Sequence, residues 1–495
     1  MTAKQLAPAD LTTCDKEPVH IPGSIQPHGV LLSLDPANFS VLQVSVNVTE
    51  LLGVTPEQIL GGKLSKVFAG SCSHALDRLV EGLREEHGTV RGPTLKGPVS
   101  GDFFNVSAHL FGGALIVELE LADPEVVYGF SQMYPTVMQL PELMMRSSSV
   151  EQIAEKAARA IHRLGGFDRV LVMKFATDWS GHVVAEARND GVSSFLDLWF
   201  PATDIPAQVR RLYEVNRVRV IGDSRAQPVA IFPSLNPLSG RPLDLSLSVL
   251  RAVSPVHLEY MRNMDLASSM SLSLLGADGR LWGLIVCHCQ KARRVSLDLR
   301  MASEIIARML SSQIEKAEVV EHRAFIEREI LLRSLAKRLL GFISAEKDFV
   351  KGFTLHPEEL LHFARASGAA IISGGQCHRF RNCPPEEQIW KMINWLKETG
   401  QTEVFTTDRA AEVFSGLGDV SATPGGILSI GLSKTEEAWL VWFRSELVQT
   451  VKWGGDPRKP EAAPNAGNGA GLLLHPRKSF EVWQETIKGR SEPWS

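Results

Sequence analysis

The chain has 495 residues, with 52 basic against 56 acidic side chains, a formal net charge of -4 and 44% hydrophobic residues. That length suits about three domains with ordinary buried cores, and the near balance of charge leaves no electrostatic footprint for nucleic acid. Apolar runs break at charges or glycines well short of the roughly 18 residues a membrane span needs. No basic stretch followed by an apolar one opens the chain, so the expectation is a cytoplasmic protein with reduced thiols. The six cysteines, at 14, 72, 287, 289, 377 and 383, are scattered without framework spacing.

Taken in chain order, Cys14 comes first, ahead of any apolar run. A nucleophile there suits covalent tethering more than catalysis, the plain alternative being a free thiol on a frayed terminus. Val30-Leu31-Leu32-Ser33-Leu34 and Leu115-Ile116-Val117-Glu118-Leu119 are strand-like runs that bound a first small α/β unit. A second unit opens with a helix from Val150 to Leu164, whose Ile153, Ala157, Ile161 and Leu164 recur at helical spacing. It continues through strands at Val170–Met173 and His182–Ala185 and closes on a hairpin whose turn is Gly276-Ala277-Asp278-Gly279. From Asp298 to about Leu340 the pattern is a long helix with few breakers, a spine of the kind that pairs with a second copy of itself. A third α/β unit follows Gly352, and in it Trp453-Gly454-Gly455-Asp456-Pro457 and Pro476-Arg477-Lys478-Ser479-Phe480 flank a Pro/Gly/Ala/Asn-rich loop. Composition alone makes that loop a disordered insertion.

Period-two alternation in Ser269-Met270-Ser271-Leu272-Ser273 puts hydroxyls on one face and apolar side chains on the other. Arg219 and Arg251 supply charges suited to paired hydrogen bonds with a carboxylate. Ser254-Pro255 reads as an N-cap hydroxyl followed by proline at the first helical position, and the helix it starts puts His257, Tyr260, Met261 and Met264 on one face. Cys287-His288-Cys289 does not converge on a metal ion, because adjacent strand residues point to opposite faces. No Gly-rich loop precedes a Lys-Ser or Lys-Thr pair, and an enzyme is not expected.

The block from Phe200-Pro201-Ala202-Thr203-Asp204-Ile205-Pro206 through Tyr213, Arg219, Asn236-Pro237, Arg251 and Ser254-Pro255-Val256-His257 to Cys287-His288 resembles the bilin pocket of the bacterial phytochromes. The segment around Cys14 is similar to the start of the same family. The resemblance implies an α+β fold of three tandem PAS/GAF-like domains, antiparallel sheets with flanking helices, joined by a long helical spine. It implies an N-terminal extension at 1–15, a PAS domain at 16–125, a bilin-binding GAF domain at 138–315, a connecting helix at 316–345 and a PHY domain at 346–495. The family also implies a figure-of-eight knot, in which Ile25 and its neighbours thread a loop of residues about 220 to 250.

The function implied is that of a red/far-red photoreceptor core. It would bind biliverdin IXα covalently through Cys14, since Val256 stands where other phytochromes carry their attachment cysteine. In the family's pattern Arg219 and Arg251 grip one propionate, Ser269 and Ser271 help hold the other, and Asp204 and His257 serve the pyrrole nitrogens. His288 bonds the carbonyl of the D ring, whose rotation is the photochemistry, and Met173, Phe200, Ile205, Pro206, Tyr213 and Tyr260 complete the pocket. Trp453, Gly454, Pro476, Arg477, Ser479 and Phe480 mark the tongue, about 453–485, with Asp204 pairing Arg477 in one state. A homodimer through the long helices and an output kinase or other module beyond the C-terminus are the implied partners, with no membrane. Met173 and Cys289 depart from the family's tyrosine and histidine, so the dark state is not fixed. The competing class is a GAF-based sensor of a cyclic nucleotide or another tetrapyrrole, without photochemistry.

Overall fold

The computed structural model describes residues 17–495 except 65–66, 69–70, 83–88, 100, 123–128, 148, 347, 402, 415–423, 434–437, 458–478 and 495. Cys14, Pro476 and Arg477 therefore lie outside the described residues. The chain divides into two compact units, Met1–Ala317 with Trp453–Trp483, and Glu318–Lys452 with Gln484–Ser495.

The strands of the first unit are, in chain order, β1 (Ser24–Ile25), β2 (Gly29–Leu34), β3 (Val41–Ser45), β4 (Thr89–Lys96), β5 (Phe103–Phe111), β6 (Ala114–Leu121), β7 (Arg169–Phe175), β8 (Gly181–Arg188), β9 (Trp199–Phe200), β10 (Val218–Ile221), β11 (Val229–Phe232), β12 (Ser268–Leu275) and β13 (Leu281–Cys289). The first sheet runs β1-β11-β3-β2-β6-β5-β4. Alternation along β6 sends Leu115, Val117 and Leu119 into the core under the helices, together with Val30 and Leu32 of β2. The other face carries Ile116, Glu118 and Glu120, and two carboxylates on a covered sheet face need partners.

Glu118 finds them in the backbone: its carboxylate accepts the N–H groups of Val249 (3.2 Å) and Leu250 (2.8 Å). Burial nevertheless pushes its carboxyl up to about 7. Glu120 pairs with Arg300 and lies 3.6 Å from His28. Burial alone would raise the Glu120 carboxyl, but Arg300 and His28 outweigh it and hold it at about 2. Arg300→Met strands this carboxylate in the interior, and a loss of roughly 3–5 kcal/mol is expected. The depressed value means that the stabilisation from Glu120 is present above its ordinary 4.5 and is lost as the pH falls through about 2. Urea melts of wild type and variant should therefore differ most at neutral pH and converge in acid.

Residues 24–26 are bonded to both stems of the segment 222–250. Ser24 and Ile25 pair with Ala230 and Val229, Ile25 also bridges Arg251, and the Gln26 backbone N–H donates to Leu250 O at 2.7 Å. The Gln26 side chain donates to Val220 O (3.0 Å) and accepts from Gly222 N (3.2 Å).

The second sheet of this unit runs β10-β12-β13-β7-β8-β9. One face is packed by three helices, Phe130–Met145, Val150–Gly165 and the first part of Leu297–Ala345, against Val170, Val172, Met270, Leu272, Leu274, Ile285 and Cys287. Ser149 caps the second of these helices by accepting the Gln152 N–H, and Gly166, at φ 57°, ends it. The helix Phe130–Met145 is unexpected, because Pro135 and Pro141 lie inside it. Its Met133, Val137, Leu140 and Met144 are nonetheless buried at helical spacing. The expected hairpin is present, with Gly279 at φ 76° and Arg280 N donating to Asp278.

The second unit has its own five-stranded sheet, formed in spatial order by Gln376–Arg381, Gly368–Ser373, Ala438–Arg444, Gly426–Ser433 and Val404–Thr407. The helix Glu386–Glu398 packs Ile389, Met392, Ile393 and Leu396 on one face of it. Phe349–Leu355 and Pro357–Ala364 pack on the other, where Trp442 Nε1 donates to Leu360 O at 2.9 Å. The long helix Leu297–Ala345 is the expected spine, extended by a few residues at its C-terminal end. Among the described residues no helix is long and apolar enough to cross a membrane.

Candidate functional site

The strict alternation of three neighbouring strands builds one wall of a cavity of about 280 Å³. While Val170, Met270 and Cys287 go to the helical core, Leu171 and Met173 of β7, Ser269 and Ser271 of β12, and Leu284, Val286 and His288 of β13 face the cavity. Register aligns them in rows. Arg219 stands opposite Ser271, which stands opposite Val286, and one row along Ile221, Ser269, His288 and Arg169 follow one another. The opposite wall comes from the 3-10 turn Ala202–Asp204 and the helices Ala207–Val215 and Pro255–Asn263.

All thirteen pocket residues expected from the sequence line this one cavity: Met173, Phe200, Asp204, Ile205, Pro206, Tyr213, Arg219, Arg251, His257, Tyr260, Ser269, Ser271 and His288. Glu17, Val19, Phe195, Leu171, Val286 and Pro457 also line it and were not foreseen. Val256 lines it too. Of the tongue residues that are described, Trp453 pairs in parallel with Trp199, and Gly454 packs so closely on Phe200 that a Cβ there would come within 2.8 Å of the ring. Phe480 meets Tyr260 edge-on at 5.0 Å, while Ser479 is exposed. The run Val482–Ile487 is a strand, although the composition there also suits a helix.

One expectation is corrected. The Ser254 hydroxyl makes no cap bond to its helix; it donates instead to Glu17 at 2.8 Å. A short side chain that can cap its own helix can equally serve a carboxylate beside it, and here the carboxylate takes it.

The polar groups of the cavity are unevenly compensated. Arg219 donates to Val249 O (3.4 Å), Arg251 O (2.7 Å) and Ala252 O (3.1 Å), and Arg251 donates to Ser246 O (3.4 Å). Among the described residues no carboxylate comes within 4 Å of either guanidinium, although both are well enclosed. Burial first, and Arg251 second, pull Arg219 down to about 9. Burial and then Arg219 hold His257 at about 4, so its imidazole is neutral at pH 7. Asp204 accepts the Tyr260 hydroxyl at 2.9 Å. Two cations facing a cavity, with hydroxyls beside them and no anion paired to them, make a receptor for carboxylates.

Arg169 was also unforeseen. It is buried behind His288 and donates to its Nδ1 at 3.2 and 3.4 Å. Cys287 and Cys289 point away from His288 into the helical core.

Three family models match the chain in order: the PAS fold over residues 14–122, the GAF domain over 149–317 and the phytochrome region over 332–495. Among curated relatives, cyanobacterial phytochrome B of Nostoc sp. is 37% identical over 98% of this chain and 64% of its own length. A bacteriophytochrome of Xanthomonas campestris pv. campestris is 34% identical over 99% of this chain and 76% of its own. The chain thus spans about 64% of the length of the first of these relatives. Solved structures agree in fold. A bacteriophytochrome from the photosynthetic bacterium R. palustris matches with a TM-score of 0.78, and the Stigmatella aurantiaca phytochrome photosensory core module with 0.74. Each is 35% identical and covers 98% of this chain and 95% of its own.

Proposed function

The chain belongs to the phytochrome family, and from that premise we propose that it is a red/far-red light photoreceptor core holding biliverdin IXα in the cavity described above. The observation that carries this reading is the pair of enclosed guanidiniums, Arg219 and Arg251, facing a cavity without a carboxylate partner among the described residues. A linear tetrapyrrole with two propionates supplies those anions, and when bound it supplies light absorption and a D ring that isomerises. The residues present fit it: Arg219, Arg251, Ser269 and Ser271 would hold the propionates, His257 and Asp204 the pyrrole nitrogens, and His288 the D-ring carbonyl. The apolar remainder, Met173, Phe195, Phe200, Ile205, Met261 and Val286, excludes water from the conjugated system.

The test is the purified protein after co-expression with a haem oxygenase. The expected outcome is a coloured protein whose red absorption changes under red illumination and reverses under far-red light. A colourless protein, or a pigment that light does not change, would reject the reading and favour a non-photochemical ligand sensor.

Two further proposals follow the family. The contacts of residues 24–26 with both stems of 222–250 support threading of that loop, and an experimental chain trace in which the segment only lies alongside would refute it. The packing of Gly454 against Phe200 and of Phe480 against Tyr260, both cavity-wall residues, with Trp453 paired to the neighbouring Trp199, supports a tongue that senses the pigment, relaying its state through the long helices of a homodimer to an output kinase or other module. Equal hydrogen-exchange protection of 453–485 in darkness and light, in a sample that photoconverts, would remove the tongue from this role.

A further inference from the structure

We propose that Arg169 is a positioning residue that locks His288 in its Nε2–H tautomer, so that the cavity wall presents a hydrogen-bond donor at this point. A guanidinium donates and never accepts. Arg169 Nε and Nη2 lie 3.4 and 3.2 Å from His288 Nδ1, so that nitrogen must offer its lone pair, and the single proton of the neutral ring sits on Nε2. His288 lines the cavity, and among the described residues Nε2 has no protein partner.

Arg169 is itself fixed on three sides. It stands directly across from His288 in the antiparallel register of β7 and β13. Its Nη1 donates to Ser193 O at 2.8 Å, and its guanidinium carbon lies 3.5 Å over the Phe195 ring. The loop that provides those two contacts is in turn held by Glu186, which accepts Ser194 Oγ at 2.6 Å and Phe195 N at 2.8 Å. The order of support thus runs from Glu186 to the loop 193–195, to Arg169, to His288 and to the cavity. Glu186 and Asp168 are the carboxylates that act on Arg169 electrostatically, Arg188 opposes them, and His257 joins Arg169 in opposing a charge on His288. Burial first, then Arg169, then His257, keep the His288 imidazole well below its ordinary value, so the lock does not open by protonation near neutral pH.

On the bilin reading of this cavity, the lock decides which face of the D ring His288 can serve. A fixed N–H donor bonds a lactam carbonyl and has nothing to offer a pyrrole N–H. Were such a ring to turn, the donor at His288 Nε2 would face an N–H in place of a carbonyl, so His288 would discriminate the two states.

The experiment uses the pigment-free full chain with ¹⁵N-labelled histidine and long-range proton–nitrogen correlation at pH 7, His288 being identified by loss of its signals in His288→Gln. The expected result is the Nε2–H pattern for His288 in wild type and a mixture of tautomers in Arg169→Met, with Arg169→Lys restoring much of the wild-type pattern. In a pH titration, Arg169→Met should raise the His288 midpoint by roughly one unit or more, because a like charge is removed. A wild-type His288 carrying its proton on Nδ1, or on both nitrogens, overturns the proposal even if no variant folds; so does Arg169→Met with an unchanged Nε2–H pattern. Because the measurement is made without pigment, its failure leaves the photoreceptor reading standing, and a protein that takes up no bilin leaves the tautomer result standing.

Discussion

Cys14→Ser is expected to abolish covalent pigment attachment while leaving the cavity able to hold bilin. Wild-type protein loaded with biliverdin and then denatured should show a bilin-sized mass increase and zinc-induced fluorescence, and the variant should show neither. Cys14 precedes Glu17 by three residues, a contour of at most about 11 Å. Glu17 and Val19 line the cavity, and the Ser254 hydroxyl, donating to Glu17, ties the chain to the start of the helix Pro255–Asn263. The alternative attachment position that the family resemblance implies is that of Val256, which lines the cavity and has no nucleophile. Addition of a thiol across a vinyl group forms one C–S bond and moves the thiol proton to the neighbouring carbon, so no oxidant is needed. Of the other cysteines, Cys287 and Cys289 belong to the helical core behind β13, where burial first, then Cys289, raise the Cys287 thiol well above its ordinary value and suppress the thiolate. The prediction fails if Cys14→Ser retains covalent mass, or if wild type never acquires it. A companion substitution, Glu17→Ala, should slow attachment without abolishing it, since it removes the tie but keeps the thiol.

What could be seen in the sequence follows from how local each signal is. The alternation of β12 was legible because a period of two fixes faces without reference to the rest of the chain, and Ser269 and Ser271 do face the cavity while Met270 and Leu272 do not. Arg219, Arg251, His257 and Tyr260 were visible as candidates from their chemistry or helical spacing, but their assignment to one pocket, and the selection of Tyr213 or Ile205 at all, came from family position. The helix Phe130–Met145 was hidden by two prolines, although Met133, Val137, Leu140 and Met144 carried the spacing that reveals it. Glu118 and Glu120 sit in a strand that alternation alone turns toward solvent; only the covering segment at 249–250 and Arg300 make that face an interior one. Arg169 reads as the polar end of an apolar strand, and its value lies in a partner 119 residues away that register alone supplies. Its signal was available in one respect: an arginine directly before Val170-Leu171-Val172-Met173, in a strand covered on both faces, must be paid for by bonds to something.

His257→Ala is expected to lower the pigment's apparent pKa by roughly 1–2 units and to impair photoproduct formation. Burial first, and then Arg219, hold His257 at about 4, so at pH 7 the side chain is neutral and brings no second positive charge against a protonated bilin. It stacks on Tyr260 at 5.9 Å with 12° between ring planes, and Tyr260 in turn donates to Asp204, so the imidazole and the carboxylate are set by one aromatic side chain. A neutral imidazole offers a lone pair to a pyrrole N–H and a carboxylate offers charge. Both favour the cationic pigment over the neutral one, and removing either must lower the pH at which the proton leaves. In a titration from pH 6 to 10 the red band of His257→Ala should therefore fade at lower pH than that of wild type, with Asp204→Ala shifted in the same direction. Because the two groups share Tyr260, the double variant should shift by less than the sum of the single ones. His257→Gln, which keeps an acceptor of similar reach, should recover part of the loss. Coincident titration curves for wild type and His257→Ala, with full photoconversion in both, would show that the proton is held elsewhere in the cavity.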